Sequence, residues 1–180
     1  MIDISGEKVT KKNLSSYVRK IQPTFIMING HGNDDCVTGH DNEVLVKKGE
    51  NENVFKNTIV FARSCSSANG LGLSCSKNVN TTYIGYTGDY YFMFDLEKLF
   101  RPLTDKTAEK FLEPSNYVAI WLLKGLTAEE ANRRSKNMIR KNILQIVAGT
   151  DPDQDLSMLP LMIWNYNHQV CFGDPKATIR

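Results

Sequence analysis

Two reactive side chains, His31 and Cys65, stand just after two short apolar runs of the sequence. Each run is rich in β-branched and aromatic residues and gives way to small residues, which is typical of a buried parallel strand that opens into a loop. Because the carboxyl ends of neighbouring parallel strands share one crevice, we expect His31 and Cys65 to lie close together. A thiol beside an imidazole is a nucleophile beside a base.

Each residue by itself has an ordinary explanation. A single cysteine after an apolar run is usually a small buried hydrophobe, and a single histidine beside glycine is usually a turn residue. The two occur at equivalent positions, however, and both are flanked by residues small enough to let a substrate backbone approach. The joint pattern therefore favours a catalytic pair.

The order of these features resembles a known family. An apolar strand, His31-Gly32, a polar excursion, a second apolar strand and Cys65 followed by Ser66 and Ser67 are similar to the caspase-like cysteine peptidases. This family includes caspases, gingipains, clostripain, separase and the bacterial CHAT proteases. Residues 82–88 and 170–175 are similar to a strand and to a closing Gly-Asp-Pro of the same family.

Within the family, the CHAT and gingipain-like branches fit better than the caspases. His31 and Cys65 are 34 positions apart, 65 − 31, whereas caspases have about 50. The caspase signature Gln-Ala-Cys-x-Gly is absent, and residues 63–67 read Arg-Ser-Cys-Ser-Ser instead.

The resemblance implies an α/β fold, the caspase-like three-layer sandwich with a mostly parallel central sheet and helices on both faces. Residues 1–180 would form a single caspase-like peptidase domain. Members of the family usually carry a strand and a helix before the histidine strand, but only residues 1–6 are available here for that role. Either the sheet is trimmed, or the chain is a piece of a larger protein.

The chemistry that follows is that of a cysteine endopeptidase, a hydrolase of peptide bonds. Cysteine has an appreciable thiolate fraction near neutral pH, so Cys65 is the predicted nucleophile and His31 the general base. By position in the family, the backbone N–H groups of Gly32 and Cys65 would form the oxyanion hole. Many members work as a Cys/His dyad through an acyl-enzyme, so no third residue, cofactor or metal is implied.

Two residues are candidates for the specificity pocket, and Arg63 is slightly favoured over Asp89. Arg63 stands two positions before Cys65, where the resemblance implies a wall of the substrate pocket, and it would favour an acidic residue before the cleaved bond. Asp89 follows the next strand and would favour lysine or arginine. A third alternative is that Arg63 and Asp89 pair with each other and leave a neutral pocket.

Three rival functions make different demands on the sequence. A tyrosine-phosphatase loop requires Cys-x5-Arg, and this reading fails because the expected arginine is absent after Cys65. A zinc site could be drawn from His31, Cys36, His40 and Cys75, although no Cys-x2-Cys pair exists. The main alternative is a catalytically inactive scaffold or sensor domain of the same fold.

Composition places few further restrictions on the function. The chain has 180 residues, enough for one domain, and its net charge of +2 favours neither nucleic acid nor an anionic membrane as a partner. No signal peptide or membrane-length apolar run is present, so we expect a cytoplasmic protein with reduced cysteines. The expected partners are a protein substrate and, by resemblance, an activating protein or ligand.

The remaining pattern predicts the elements around the pair. Strands are expected at residues 25–28, 58–62, 82–86 and 169–172, with a hairpin arm at 43–47. Helices are expected at residues 10–21 with Thr10 as cap, 68–77, 105–113 ended by Pro114, and from a capping box at 127–130 to about 147. The apolar periodicity of residues 116–124 does not distinguish a helix from a strand. The family resemblance favours a helix.

Overall fold

The computed structural model describes residues 2–78, 80–151 and 155–179. Seven strands are present in this part of the chain: β1 Phe25–Asn29, β2 Gly32–Asn33, β3 Cys36–Thr38, β4 Val44–Lys47, β5 Ile59–Arg63, β6 Thr82–Tyr86 and β7 Gln169–Phe172. The α-helices among these residues are α1 Lys11–Ile21, α2 Leu73–Cys75, α3 Lys106–Leu123, α4 Ala128–Val147 and α5 Leu159–His168.

The protein has an α/β fold built on a four-stranded mixed sheet. The strand order is β1-β5-β6-β7, in which β1, β5 and β6 run parallel and β7 is antiparallel. Strands β2, β3 and β4 form a separate antiparallel sheet between β1 and β5 in the chain. The predicted hairpin arm at residues 43–47 is β4, which pairs with β3.

Both faces of the central sheet are buried, because successive side chains of each strand alternate between two cores. Val60 and Ala62 of β5 pack into a cluster with Leu71, while Ile59 and Phe61 pack with α3 and α4 on the opposite face. A strand covered on both faces needs apolar residues at every position, which explains the unbroken apolar runs before His31 and Cys65.

Helix ends follow the predicted caps. Thr10 precedes α1, and its hydroxyl accepts a hydrogen bond from the Asn13 N–H at 3.2 Å. Thr127 caps α4 in the same way through the Glu130 N–H at 3.3 Å. The Glu130 carboxylate pairs with Arg134 on the next turn. The predicted helices at residues 10–21 and 127–147 are therefore confirmed.

The prediction that Pro114 ends a helix is wrong. Helix α3 passes through Pro114 without interruption, and residues 116–123 are helical. A proline inside a helix leaves the carbonyl group four residues earlier without its donor. That carbonyl belongs to Lys110, and the Asn142 side chain of α4 donates to it at 3.0 Å. A tertiary contact thus replaces the lost helical hydrogen bond.

One other predicted helix differs in detail from the expectation. The predicted helix at residues 68–77 is a π-helix over Ala68–Gly72 that continues into the single turn α2. The apolar run at residues 161–164 is part of α5, which leads directly into β7. The four predicted strands of the central sheet are confirmed to within one residue at each end.

Candidate active site

The parallel pairing of β1 and β5 determines where His31 and Cys65 lie. Asn29 is level with Arg63 in the register, and the Gly30 N–H donates to the Arg63 carbonyl oxygen at 3.4 Å. The paired register ends at Asn29 and Arg63, so His31 and Cys65 each stand two residues beyond it, after the carboxyl ends of two adjacent parallel strands. The His31 side chain is exposed, and Cys65 is half-buried, so both are accessible from solvent.

Gly32 closes the gap between the two loops. A Cβ atom built on Gly32 would lie 3.0 Å from Ser64 Cβ and 3.2 Å from the Cys65 carbonyl oxygen. Any side chain at this position would have to push the Cys65 loop away. Glycine therefore lets the chain after His31 lie directly against the backbone that carries Cys65.

Two backbone N–H groups at this point are free to bind a ligand. The Thr38 N–H donates to the His31 carbonyl at 3.0 Å, which makes His31 and Thr38 a hydrogen-bonded antiparallel pair. Since such pairs alternate with non-bonded ones, the Gly32 N–H points away from β3. The Cys65 N–H has no acceptor among the described residues. The oxyanion-hole role of the Gly32 and Cys65 N–H groups stays a prediction.

Ser66 holds the chain in place after the cysteine. Its backbone is left-handed, with φ of 53°, and its N–H donates to the Gly88 carbonyl at 2.9 Å. The Ser66 hydroxyl donates to Asp89 Oδ1 at 3.0 Å. Sequence reasoning treated Ser66 only as a small residue, and its side-chain partner lies 23 positions away, so no local pattern indicates this contact.

Asn69 ties the same loop to its surroundings. Its side-chain amide donates to the Thr87 carbonyl at 2.8 Å and to Asp34 Oδ1 at 3.2 Å. These bonds join the loops after β2, β5 and β6. Asn69 is a structural residue of the site that the sequence analysis missed.

An open cleft of about 570 Å³ borders this arrangement. Gly32 and Ser66, the neighbours of His31 and Cys65, form one side of it, and Asp34, Asp35 and Asp89 place three carboxylates on its walls. Its one lysine, Lys47, binds Glu50 at 2.6 Å, and this hydrogen bond raises the lysine pKa. Lys48 pairs with the Asp35 carboxylate at 3.6 Å, whereas Asp34 and Asp89 have no ion pair among the described residues, so the cleft is acidic and suited to a cationic group.

The two candidate specificity residues face different parts of the protein. Asp89 lines the cleft, where Trp164 Nε1 donates to its carbonyl oxygen at 2.9 Å. Arg63 points toward α3 instead, and its Nη1 donates to Asn116 Oδ1 at 2.9 Å. The two do not form an ion pair with each other in the described structure.

The four cysteines are free thiols in different surroundings. Burial raises the pKa of Cys75 and of Cys171 to about 12, so both stay protonated at neutral pH. Cys36 is buried and lines the cleft, and Cys65 is half-buried and precedes the lining residue Ser66. Protonated, desolvated thiols are poor nucleophiles, so Cys75 and Cys171 are internal references for the reactivity of Cys65.

The zinc hypothesis finds no geometric support. Among the described residues, no three His, Cys, Asp or Glu side chains are grouped closely enough to hold a metal ion. This set includes His31, Cys36, His40 and Cys75, all of which the structure describes.

Comparison with protein-family models, with curated proteins and with solved structures gives no significant match. Within the described residues, every helix is too short or too polar to cross a membrane.

Proposed function

We propose that the protein is a cysteine endopeptidase that cleaves protein substrates through a Cys65/His31 dyad. The observation that carries this proposal is the parallel β1–β5 register, which ends at Asn29 and Arg63, two residues before His31 and Cys65. Gly32 packs against the Cys65 backbone and supplies one of two free N–H groups there. A nucleophile, a base and an anion-binding pair within one short stretch of surface are the components of acyl transfer.

In the proposed reaction, His31 takes the proton of the Cys65 thiol, and Sγ attacks the carbonyl carbon of the scissile bond. The Gly32 and Cys65 N–H groups donate to the resulting oxyanion. The C–N bond then breaks as His31 gives the proton to the leaving amine, which leaves an acyl-enzyme on Cys65. A water molecule, deprotonated by His31, hydrolyses the thioester and frees the thiol.

The architecture supports the caspase-like form of this proposal. The parallel strands, the two buried sheet faces and the helices packed on each of them agree with a caspase-like sandwich of the CHAT or gingipain type. Strand β1 is at the edge of the sheet, where the family resemblance implies a further strand. We propose that the cytoplasmic enzyme is regulated by a partner or ligand.

A peptide-based electrophile tests the assignment of the nucleophile. A peptidyl chloromethyl ketone should label Cys65 at neutral pH, and intact-mass analysis with peptide mapping should show one label per chain. Cys75 and Cys171 should remain unlabelled because burial raises their pKa to about 12. The His31→Ala variant should lose most of the label.

The labelling pattern also separates the enzyme from its alternative. If Cys65 in the folded protein takes no label, or reacts no faster than Cys75, the peptidase proposal is wrong. A catalytically inactive scaffold of the same fold would then be the better explanation.

The position of Asp89 predicts cleavage after lysine or arginine. A buried or cleft-bound charged hydrogen bond contributes about 1.5–3 kcal/mol, so Asp89→Asn should lower kcat/KM for lysine and arginine substrates by roughly 10- to 100-fold. Asparagine keeps an acceptor for the Ser66 hydroxyl, so the Cys65 loop should stay in place. The measurement is kcat/KM on matched peptides with Lys, Arg, Asp or Ala before the cleaved bond.

Two matched variants control this prediction. Asp41→Asn removes an exposed carboxylate outside the cleft and should leave the preference unchanged. Arg63→Gln breaks the contact with Asn116 and should also leave it unchanged. Cleavage after acidic residues that disappears in Arg63→Gln would show that Arg63 is the pocket residue.

A further inference from the structure

Six large apolar side chains stand on the surface between β6 and α3. They are Phe92, Phe94, Leu96, Leu99, Phe100 and Leu103, and together they are called the apolar segment here. Leu96 and Leu99 are more than half exposed, and Phe100 and Leu103 are 94% and 98% exposed. Neither the proposed chemistry nor the core of the protein uses these side chains.

The spacing of these side chains is typical of an apolar surface that packs against another element or another chain. Leu96, Leu99, Phe100 and Leu103 follow the i, i+3, i+4, i+7 pattern with which an amphipathic chain buries one side. In the structure this stretch forms two short 3-10 turns, Leu96–Lys98 and Pro102–Thr104. All four side chains face solvent, so the pattern has no partner within the described chain.

Hydrogen bonds attach the backbone of the apolar segment to two helices. The Asn165 side chain accepts from the Tyr91 N–H at 3.1 Å and donates to the Tyr91 carbonyl at 2.6 Å. Within the segment, the Asp95 N–H donates to the buried carboxylate of Asp105, the cap residue of α3, at 2.9 Å. These bonds connect the backbone of the segment to α5 and to the start of α3.

The exposed apolar area of the segment is close to the area that a protein–protein interface buries on each partner. A fully exposed phenylalanine or leucine side chain offers about 150–200 Å², so at their exposed fractions the six side chains offer roughly 700 Å². The largest apolar patch of a typical monomer is about 300–600 Å². A standard protein–protein interface buries about 800 Å² on each partner.

The charges along the segment match a second copy of the same segment. Asp95 and Glu97 stand at its start, and Lys98 and Arg101 follow them, so these four charges cancel. In an antiparallel pair, the acidic end of one copy meets the basic end of the other. A two-fold interface needs this kind of self-complementarity, because the same surface must serve both partners.

We propose that the apolar segment is a homodimer interface, in which two copies pack their segments antiparallel about a two-fold axis. The proposal does not depend on the peptidase function. The leucine and phenylalanine side chains form the dry centre, and the charged residues form the rim and set the orientation.

Sedimentation velocity and light scattering over a range of concentrations test this proposal. The parent chain should dimerise, with a mass twice the 20.4 kDa of one chain. Phe100→Glu and Leu103→Glu should each weaken dimerisation at least tenfold, because a charge would be buried in the dry centre. Leu123→Glu, a matched change of an exposed leucine on α3, should leave the dimer intact.

Single charge reversals test the antiparallel arrangement. Glu97→Arg changes the local charge from zero to +2, and Arg101→Glu changes it to −2. Each variant alone should dimerise several-fold more weakly than the parent, and an equimolar mixture of the two should recover dimers. Circular dichroism should show that all variants are folded, since the changed side chains are exposed.

Two results would overturn the proposal. A parent chain that stays monomeric at all concentrations would show that the segment is not a homodimer interface. A dimer that persists unchanged in both Phe100→Glu and Leu103→Glu would show that the interface lies elsewhere.

Discussion

Replacement of Cys65 by alanine is expected to lower kcat/KM for peptide cleavage by about 10⁴-fold or more, to the level of the uncatalysed reaction plus binding effects. The alanine removes the only atom that can form the acyl-enzyme in the proposed mechanism. The fold should be retained, because Cys65 is half-buried and its thiol makes no hydrogen bond to a described residue. The measurement is the rate at which new termini appear in a defined peptide mixture, read by mass spectrometry.

Cys171→Ala is the matched control for this experiment. Cys171 is also a partly buried free thiol, but it lies on β7 opposite Ile84, away from the carboxyl edge of the sheet. Its replacement should leave kcat/KM within a few-fold of the parent. Equal cleavage by the parent and the Cys65→Ala variant would end the assignment of Cys65 as nucleophile.

His31→Ala distinguishes a dyad from a cysteine that acts alone. The variant should lose cleavage nearly as completely as Cys65→Ala, because the imidazole both activates the thiol and protonates the leaving amine. The double variant should be no worse than either single variant, since residues that act as one unit are not additive.

Lys110→Met is expected to lower the free energy of unfolding by about 3–5 kcal/mol. Lys110 Nζ lies 2.7 Å from Asp151 Oδ1, and the two side chains are only 14% and 8% exposed. Removing the lysine leaves a buried carboxylate without this partner, and desolvation of that charge is costly. In a domain of this size each kcal/mol moves Tm by about 2–4 °C, so Tm should fall by roughly 6–20 °C.

The chain offers a close control for this prediction. Lys106 and Glu109 form an ion pair of the same 2.7 Å length, but their side chains are 63% and 44% exposed. Lys106→Met should cost less than about 1 kcal/mol, because water already screens the exposed pair. Lys110→Met combined with Asp151→Leu should regain most of the lost stability.

The measurement is the free energy of unfolding in denaturant for the parent, the two single lysine variants and the double variant. If Lys110→Met is no less stable than Lys106→Met, the burial of an ion pair does not determine how much it contributes to the stability of this protein. The Lys110–Asp151 pair joins α3 to the loop that follows α4. Both helices pack against Ile59 and Phe61 of β5, so the same measurement also reports how strongly this packing is stabilised.

The sequence by itself determined the local features of this protein. Alternating and continuous apolar runs identified β1, β5, β6 and β7 to within one residue at each end. Thr10 and Thr127 marked the starts of α1 and α4, since a cap acts on the backbone three residues away. The positions of His31 and Cys65 after two such strands were therefore readable without a structure.

Tertiary structure decided the features that depend on distant partners. Pro114 does not end α3, because the Asn142 side chain donates to the Lys110 carbonyl that the proline leaves without its helical donor. Asn142 and Lys110 are 32 positions apart in the sequence. Arg63 points away from the cleft because Asn116 binds it, and Asp89 stays in the cleft beside Ser66. A side chain takes the direction of its hydrogen-bonding partner, and no local pattern shows where a partner 23 or 53 residues away will lie.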